Sequence, residues 1–429
     1  MIVAGNFRVE DRHQGIEVSC ALRGEGFPDR LTFHAPHATA HTVDVAQPNW
    51  AAMALIWPAM LMGQDLVIEA DLSPLLLYNM QNDLMALMRN YEPRLKPIRI
   101  TAGLSGDIQP KAGRDVMTGF SGGVDSFSTF ALYTRPQVPP SLQMTALAVF
   151  QVGALGPTAR SEELLPPAVA HARAHADDHG LKTYSLSSNM DEVFAPAKPF
   201  GPVDFRTTVG FRNAAAALLM QNGVGTYLPS GTVAYNRATF GPYSCTEPLD
   251  PALQPLFSTE KLRVQPAGAG LSRIDKIALI ADDPQAQRRL NVCISPPGRP
   301  RPTTTLNCSA CWKCIQTLLV LEAMGKLEGF APVFDLGFYR ANRRRLLQSL
   351  SDLAFGQNYL TAQEQILYAR AHGLEVPRAR GKAERRLRKL ARAVLRRGQG
   401  KPYAPAHAGA ITPPGRRASP DATSAPEGS

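Results

Sequence analysis

The sequence predicts an α/β protein built on a doubly wound parallel sheet, with an N-terminal α+β domain and a C-terminal helical appendage. Three observations predict it. Strand-like and helix-like segments alternate from Asp115 to about Met190 and continue beyond. Thr145–Val152 is a near-continuous apolar run, as expected of a parallel strand buried on both faces. A glycine turn, Gly119-Phe120-Ser121-Gly122-Gly123-Val124-Asp125-Ser126, separates a short strand ending at Thr118 from a helix over Phe127–Tyr133. Strand, glycine turn, helix is a geometry that binds phosphate.

At 429 residues the chain is long enough for two or three domains. The pattern divides it at 1–113, 114–330, 331–401 and 402–429. Met1–Gly15 mixes Arg8, Glu10, Asp11 and Arg12, which does not read as a cleavable signal. Trp50–Met62 is apolar but too short to span a bilayer, and it contains Pro58. A soluble, cytoplasmic protein without a membrane span is expected. Six cysteines are too few for a disulfide scaffold at this length, and four of them gather in one region, which points to metal. The net charge of +10 is carried by one stretch: Arg378–Lys401 holds eleven Lys/Arg and one Glu, and the rest balances. The main body therefore has no general signal for nucleic acid.

In the first domain Ile16–Leu22 alternates as a half-buried strand, and Leu31–His34 can pair with it across Gly24-Glu25-Gly26. Asn49–Leu61 reads as a helix and Asp65–Ala70 as a strand. Ser73 heads a helix through Leu84 to Met88. No catalytic constellation is visible there. In the α/β unit, Ser161–His179 reads as a helix and Leu181–Leu186 as the next strand. On that helix His171, His175 and His179 share one face, which suits either a metal site or, more commonly, a solvated face. Arg212-Asn213 opens an alanine-rich helix over Thr208–Met220, and Gly225–Pro229 is a strand. The polar loop Ala234–Thr259, with Tyr243-Ser244-Cys245 within it, follows that strand. It is the candidate acceptor-substrate pocket, or else a covering loop.

Gly122 and Gly123 can take backbone angles closed to other residues and let a ligand approach closely. The first amides of the following helix are free to bind an anion, and Ser121 and Ser126 add hydroxyl donors. Asp125 suits a metal ion that bridges phosphates. No lysine follows, so this is not the P-loop of kinases and GTPases. Further on, Cys293 and Cys308-Ser309-Ala310-Cys311-Trp312-Lys313-Cys314 suit a tetrahedral thiolate site. Structural zinc, an iron–sulfur cluster and buried inert thiols are the three readings. The helix after Cys311 is apolar nearly all round and ends near Gly325.

Ser121–Ser126 resembles the PP-loop, Ser-Gly-Gly-x-Asp-Ser, of the N-type ATP pyrophosphatases. That resemblance implies an adenine nucleotide alpha hydrolase-like fold, ATP held by Ser121, Gly122, Gly123, Val124, Asp125 and Ser126, and magnesium at Asp125. With the four cysteines near the end of the unit, Asp115 to Leu327 is similar to the 7-cyano-7-deazaguanine synthase family. The resemblance implies zinc on Cys293, Cys308, Cys311 and Cys314. It also implies an ATP-dependent carbon–nitrogen ligase that adenylates a carboxylate or similar oxygen of a small molecule, releases pyrophosphate and admits ammonia or an amine. Ser121, Asp125 and Arg212 would carry the chemistry, Arg212 by orienting a small-molecule acceptor. Arg212-Asn213 resembles an Arg-Asn pair of the family, although the preceding Val209-Gly210-Phe211 departs from its Val-Pro-x. Iron with sulfide would favour a PP-loop sulfurtransferase acting on a nucleobase or tRNA. A degenerate nucleotide-binding scaffold is the non-enzymatic alternative.

Beyond the cysteines, Phe334–Leu350 and Ala362–His372 read as helices. Arg378–Arg397 reads as an amphipathic basic helix that suits RNA, anionic lipid or an acidic partner, or simply solvent. Pro402–Ser429 has a disordered composition. A homodimer is compatible with the sequence.

Overall fold

A computed structural model describes residues 1–106, 114–154, 158–241, 246–294, 305–381 and 384. The chain opens with an antiparallel meander of β1 (Ile2–Arg12), β2 (Gly15–Arg23) and β3 (Arg30–Pro36). The β2–β3 pair is the expected one. β1 has no counterpart in the sequence reading because only its first residues are buried and its charged half is in solvent. A single turn, α1 (His37–Ala40), precedes α2 (Asn49–Met62). Every residue of α2 from Asn49 to Leu61 is buried. Gly63, at φ +68°, caps it in the left-handed region. This is a core helix, and among the described residues no helix is long and apolar enough to cross a membrane. β4 (Leu66–Leu72) and β5 (Ile100–Leu104) extend the sheet parallel to β1. Ser73 caps α3 (Pro74–Asn79), its Oγ accepting from the Leu76 amide at 3.0 Å. The helix runs on through a π-helical turn into α4 (Met85–Tyr91).

The α/β unit follows as β6 (Asp115–Gly119), α5 (Val124–Tyr133), β7 (Ala146–Gln151), α6 (Thr158–Asp177) and β8 (Lys182–Ser188). Then come α7 (Met190–Phe194), α8 (Phe205–Leu219), β9 (Val224–Tyr227), α9 (Asp250–Leu253) and the short β10 (Arg263–Val264). The ten strands of the described residues form one mostly parallel sheet, in the order β10-β9-β6-β7-β8-β3-β2-β1-β4-β5. β8 meets β3 antiparallel, with Phe33 opposite Ser188 and His34 opposite Ser187. Residues 1–113 were expected as a separate domain; instead their described strands continue the sheet of the α/β unit. They also share its core, for Trp57 of α2 lies 5.4 Å, ring to ring, from Phe211 of α8.

Strand periodicity explains the two cores. In β7, Ala146, Ala148 and Phe150 face one core, and Leu147 and Val149 face the other. The first core holds α2 and α8. The second holds α5 and α6 together with α10 (Arg273–Ile280), α11 (Pro284–Arg289), α12 (Trp312–Ala323), α13 (Leu336–Gly356) and α14 (Leu360–Ala371). The C-terminal helices are thus built into the second core. The chain after α14 remains docked: Ser351 donates to the Pro377 carbonyl at 2.7 Å, and Arg380 pairs with Asp352. The rest of the expected basic helix, apart from Glu384, and the tail after Pro402 lie outside the described residues.

Within the sheet, β6 lies between β7, its successor, and β9, reached only after β8. The winding reverses there, and a crevice opens at the carboxyl ends of β6 and β9.

Trp57 carries a large share of the shared core, being fully buried with its indole N–H bonded to the Pro202 carbonyl at 3.1 Å. Trp57→Ala is expected to lower the unfolding free energy by about 3–5 kcal/mol in urea titration, with one transition for the whole chain. A separate, unshifted transition for the α/β unit would contradict a shared core.

Candidate functional site

The glycine turn sits at that crevice. Phe120 keeps the sheet register for one more residue, its amide donating to the Ala148 carbonyl at 2.8 Å. Gly122 then enters the left-handed region at φ +73°, and Gly123 becomes the N-cap of α5. The turn is held from outside, because the Asn291 amide donates to the Gly122 carbonyl at 2.7 Å. A Cβ on Gly122 would lie 2.4 Å from His171 Nε2, so no larger residue fits. Ser121 is exposed. Ser126 is buried, and its hydroxyl donates to the Gly123 carbonyl at 3.0 Å, so it holds the turn together.

Asp125, expected to hold a metal ion, is engaged by two cations. Arg273 reaches Oδ2 at 2.8 Å and Lys276 reaches Oδ1 at 3.1 Å. Burial works to raise this carboxyl, but Arg273 and Lys276 outweigh it and hold it below the usual carboxylate range. Lys276 is itself buried and also donates to the Gly231 carbonyl. Both cations come from α10, opened by a capping box in which Ser272 and Asp275 bond reciprocally. They lie 148 and 151 residues from Asp125 in sequence, so no local signal could have found them.

Arg212 was expected to orient the acceptor; it is instead a buried structural cation. Its Nε donates to Thr208 Oγ1 at 2.7 Å, and Nη1 donates to the Val152 carbonyl and to Asp191 Oδ1. Nη2 donates to the Val203 carbonyl, and the guanidinium covers the Phe194 ring. With its side chain 1% exposed, it has no face for a ligand. Its neighbour Asn213 does line the cavity.

The three histidines do not share one environment: His179, just past the end of α6, is exposed, whereas His171 and His175 turn inward, and among the described residues they are not a group placed to hold a metal ion. His175 is fully buried, stacked on Phe120 at 4.8 Å and edge-on to Phe127 and Phe130. Burial, with help from His179, pushes it down to about 3, so it stays neutral. His171 is lowered by burial as well, and its buried Nε2, beside Gly122, has no hydrogen-bond partner among the described residues.

A cavity of about 960 Å³ opens from the glycine turn. Its far wall comes from the described part of the Ala234–Thr259 loop, which α9 and a further turn at Gln254–Phe257 partly order. Pro242–Cys245 lie outside the described residues. Glu247, Asp250 and Gln254 line the cavity from this segment, and Asp250 Oδ1 has no hydrogen-bond partner among the described residues. Burial, then the nearby Glu247, pushes the Asp250 carboxyl up to about 7, with the Thr246 hydroxyl pulling the other way.

The four cysteines gather beside the cavity, and Cys293 lines it. Their sulfurs all lie within 4.8 Å of one another, with Cys308–Cys314 at 3.9 Å and Cys311–Cys314 at 3.3 Å. A tetrahedral zinc site, with bonds near 2.3 Å, sets sulfurs about 3.8 Å apart, so the cluster fits a metal. The Cys308 and Cys311 amides point at Cys293 and Cys308 sulfurs, at 3.4 and 3.3 Å. Neighbouring S–H groups hold the Cys308 thiol far below its ordinary range, whereas Cys314 is pushed far above. Without a cation the four thiols cannot all ionise together. Asn307, missed in the sequence, ties the two segments: its Oδ1 accepts from the Val292 and Cys293 amides, and its Nδ2 donates to the Leu290 and Val333 carbonyls. Among the described residues, this is the group of side chains that could hold a metal ion.

The chain matches no family model, no curated protein and no solved structure significantly.

Asp250 makes stability pH-dependent. Its folded value lies above the unfolded one, so its protonated form stabilises the fold at low pH, and that contribution is lost as pH rises through about 7. At about 1.4 kcal/mol per pH unit, the ionised group costs roughly 4 kcal/mol by pH 8. Asp250→Asn should therefore melt increasingly above wild type as pH rises from 5 to 8. A melting difference constant over that range would contradict the assignment.

Proposed function

We propose that this protein is an ATP-dependent carbon–nitrogen ligase that adenylates a carboxylate of a small molecule, releases pyrophosphate and passes the acyl group to ammonia or an amine. The observation that carries this reading is the glycine turn at the switch point of the sheet. Gly122 is left-handed, α5 opens directly behind it, and both face one large cavity. The match of Ser121–Ser126 to the PP-loop pattern supports the same reading, as does its combination with the four cysteines.

The chain's own residues would then divide the work. Ser121, Gly122, Gly123 and Val124 present hydroxyl and amide donors where the pyrophosphate gathers charge. Ser126 keeps that turn closed. Asp125 would hold magnesium, which shields the phosphates; each of its oxygens accepts one bond here and has a lone pair to spare. A carboxylate is a poor acyl donor because oxide would have to leave. Joined to AMP through its oxygen, it loses AMP when the nitrogen attacks the acyl carbon. Alignment of the carboxylate with the α phosphate is the main demand. Arg212 acts at a distance by fixing α8, whose Asn213 and Gly210 line the cavity. Cys293, Cys308, Cys311 and Cys314 would hold zinc, which supplies a rigid cross-link and not a reacting centre.

Incubation with ATP, magnesium, ammonium and candidate carboxylic acids should yield AMP and pyrophosphate. Ser121→Ala and Asp125→Ala should each reduce turnover on the order of 100-fold in folded protein. ADP and phosphate as the sole products would sink the proposal. Protein purified without air should carry about one zinc per chain. Iron with acid-labile sulfide would point to sulfur transfer instead.

A further inference from the structure

The cavity has a second wall of polar side chains that the glycine turn does not account for. Lys313 and Gln316 stand three residues apart on α12 and therefore share a face, and both line the cavity. Gln365, from α14, lines it too. Gln316 is 4% exposed and Gln365 is fully buried, yet among the described residues Gln316 Nε2 and both polar atoms of Gln365 have no hydrogen-bond partner. A buried amide group left unpaired costs about 1–3 kcal/mol, so two of them facing one cavity call for a ligand. Among the described residues Lys313 has no carboxylate within salt-bridge distance, and its ammonium lies 5.7 Å from the centre of the Trp312 ring. α12 begins here without an acidic residue in its first turn or a side-chain cap, so its free amides add to the positive end.

The ligand class follows from charge. Lys313 and Arg273 line the cavity together with Asp125, which Arg273 and the buried Lys276 already pair, and with Glu247. An ammonium beside amide N–H groups suits an anion with several oxygens. Resting on the ligase reading above, we infer that Lys313, Gln316 and Gln365 form a subsite for the β and γ phosphates of ATP, facing the glycine turn across the cavity. Lys313 lies between Cys311 and Cys314, so the metal site pins the first turn of α12 and thereby aims this cation. The zinc region and the nucleotide cavity are in this way one device.

The test measures binding of ATP, pyrophosphate and AMP, each with magnesium, by calorimetry on metal-loaded protein. Lys313→Met should weaken ATP and pyrophosphate about 10-fold or more while AMP changes less than about 2-fold, and metal content should stay at the wild-type level. Lys313→Arg should recover part of the loss. Gln365→Leu, on α14 and not on the segments that carry the cysteines, should weaken the same two ligands with the fold unaltered, which covers the case in which Lys313→Met loses its metal. Equal ATP and pyrophosphate affinities in wild type, Lys313→Met and Gln365→Leu would overturn the subsite alone. Loss of AMP affinity as large as that of ATP would also overturn it. Wild-type protein that binds neither ATP nor pyrophosphate would overturn the ligase reading itself.

Discussion

A strand paired on both edges and covered on both faces has no backbone group to offer a ligand. Its amides and carbonyls come free only where it stops. β6 is such a strand, held between β7 and β9, with Met117 in one core and Val116 in the other. The backbone groups of β6 that a ligand could meet are therefore found at its carboxyl end, where Gly119 to Gly123 turn the chain into α5. The left-handed Gly122, the pressure of His171 against it and the Asn291 amide on its carbonyl all serve to hold that one turn.

Charge is distributed unevenly around the turn. Asp125 is a fixed point for Arg273 and Lys276, and Lys276 tolerates near-complete burial because a carboxylate and the Gly231 carbonyl both receive it. Beyond that pair, Lys313, Glu247 and Asp250 line the same cavity, so groups of both signs face one space. His175 shows the opposite solution: with aromatic rings on every side it stays neutral and serves as packing.

The cysteine cluster and the C-terminal helices belong to the same construction. Asn307 spans the loop that brings Cys293 to Cys308, and Ser309 takes a left-handed backbone angle, φ +53°, inside the Cys-x2-Cys turn. α12 starts from that turn and is buried against α13 and α14. A region that reads as an appendage thus supplies both a wall of the cavity and part of the second core.

Much was legible without coordinates. The glycine turn is defined by residues that neighbour one another in sequence, and the four cysteines by their spacing. β7 and α2 are apolar almost throughout and could only be buried. These features are local, and local backbone preference and periodicity determine them. Other outcomes depended on which segments meet. Nothing near Phe33 or Ser188 announces that β3 pairs with β8 and joins residues 1–113 to the sheet of the α/β unit. Arg212 at the front of a helix is compatible with either a ligand contact or a structural role. Thr208, Val152, Asp191 and Val203, three of them remote in sequence, decided for structure by taking its donors. Asp125 similarly acquired Arg273 and Lys276 only because α10 packs on α5. Pairing and burial are properties of long-range contacts, and a side chain's role is settled by the partners those contacts bring.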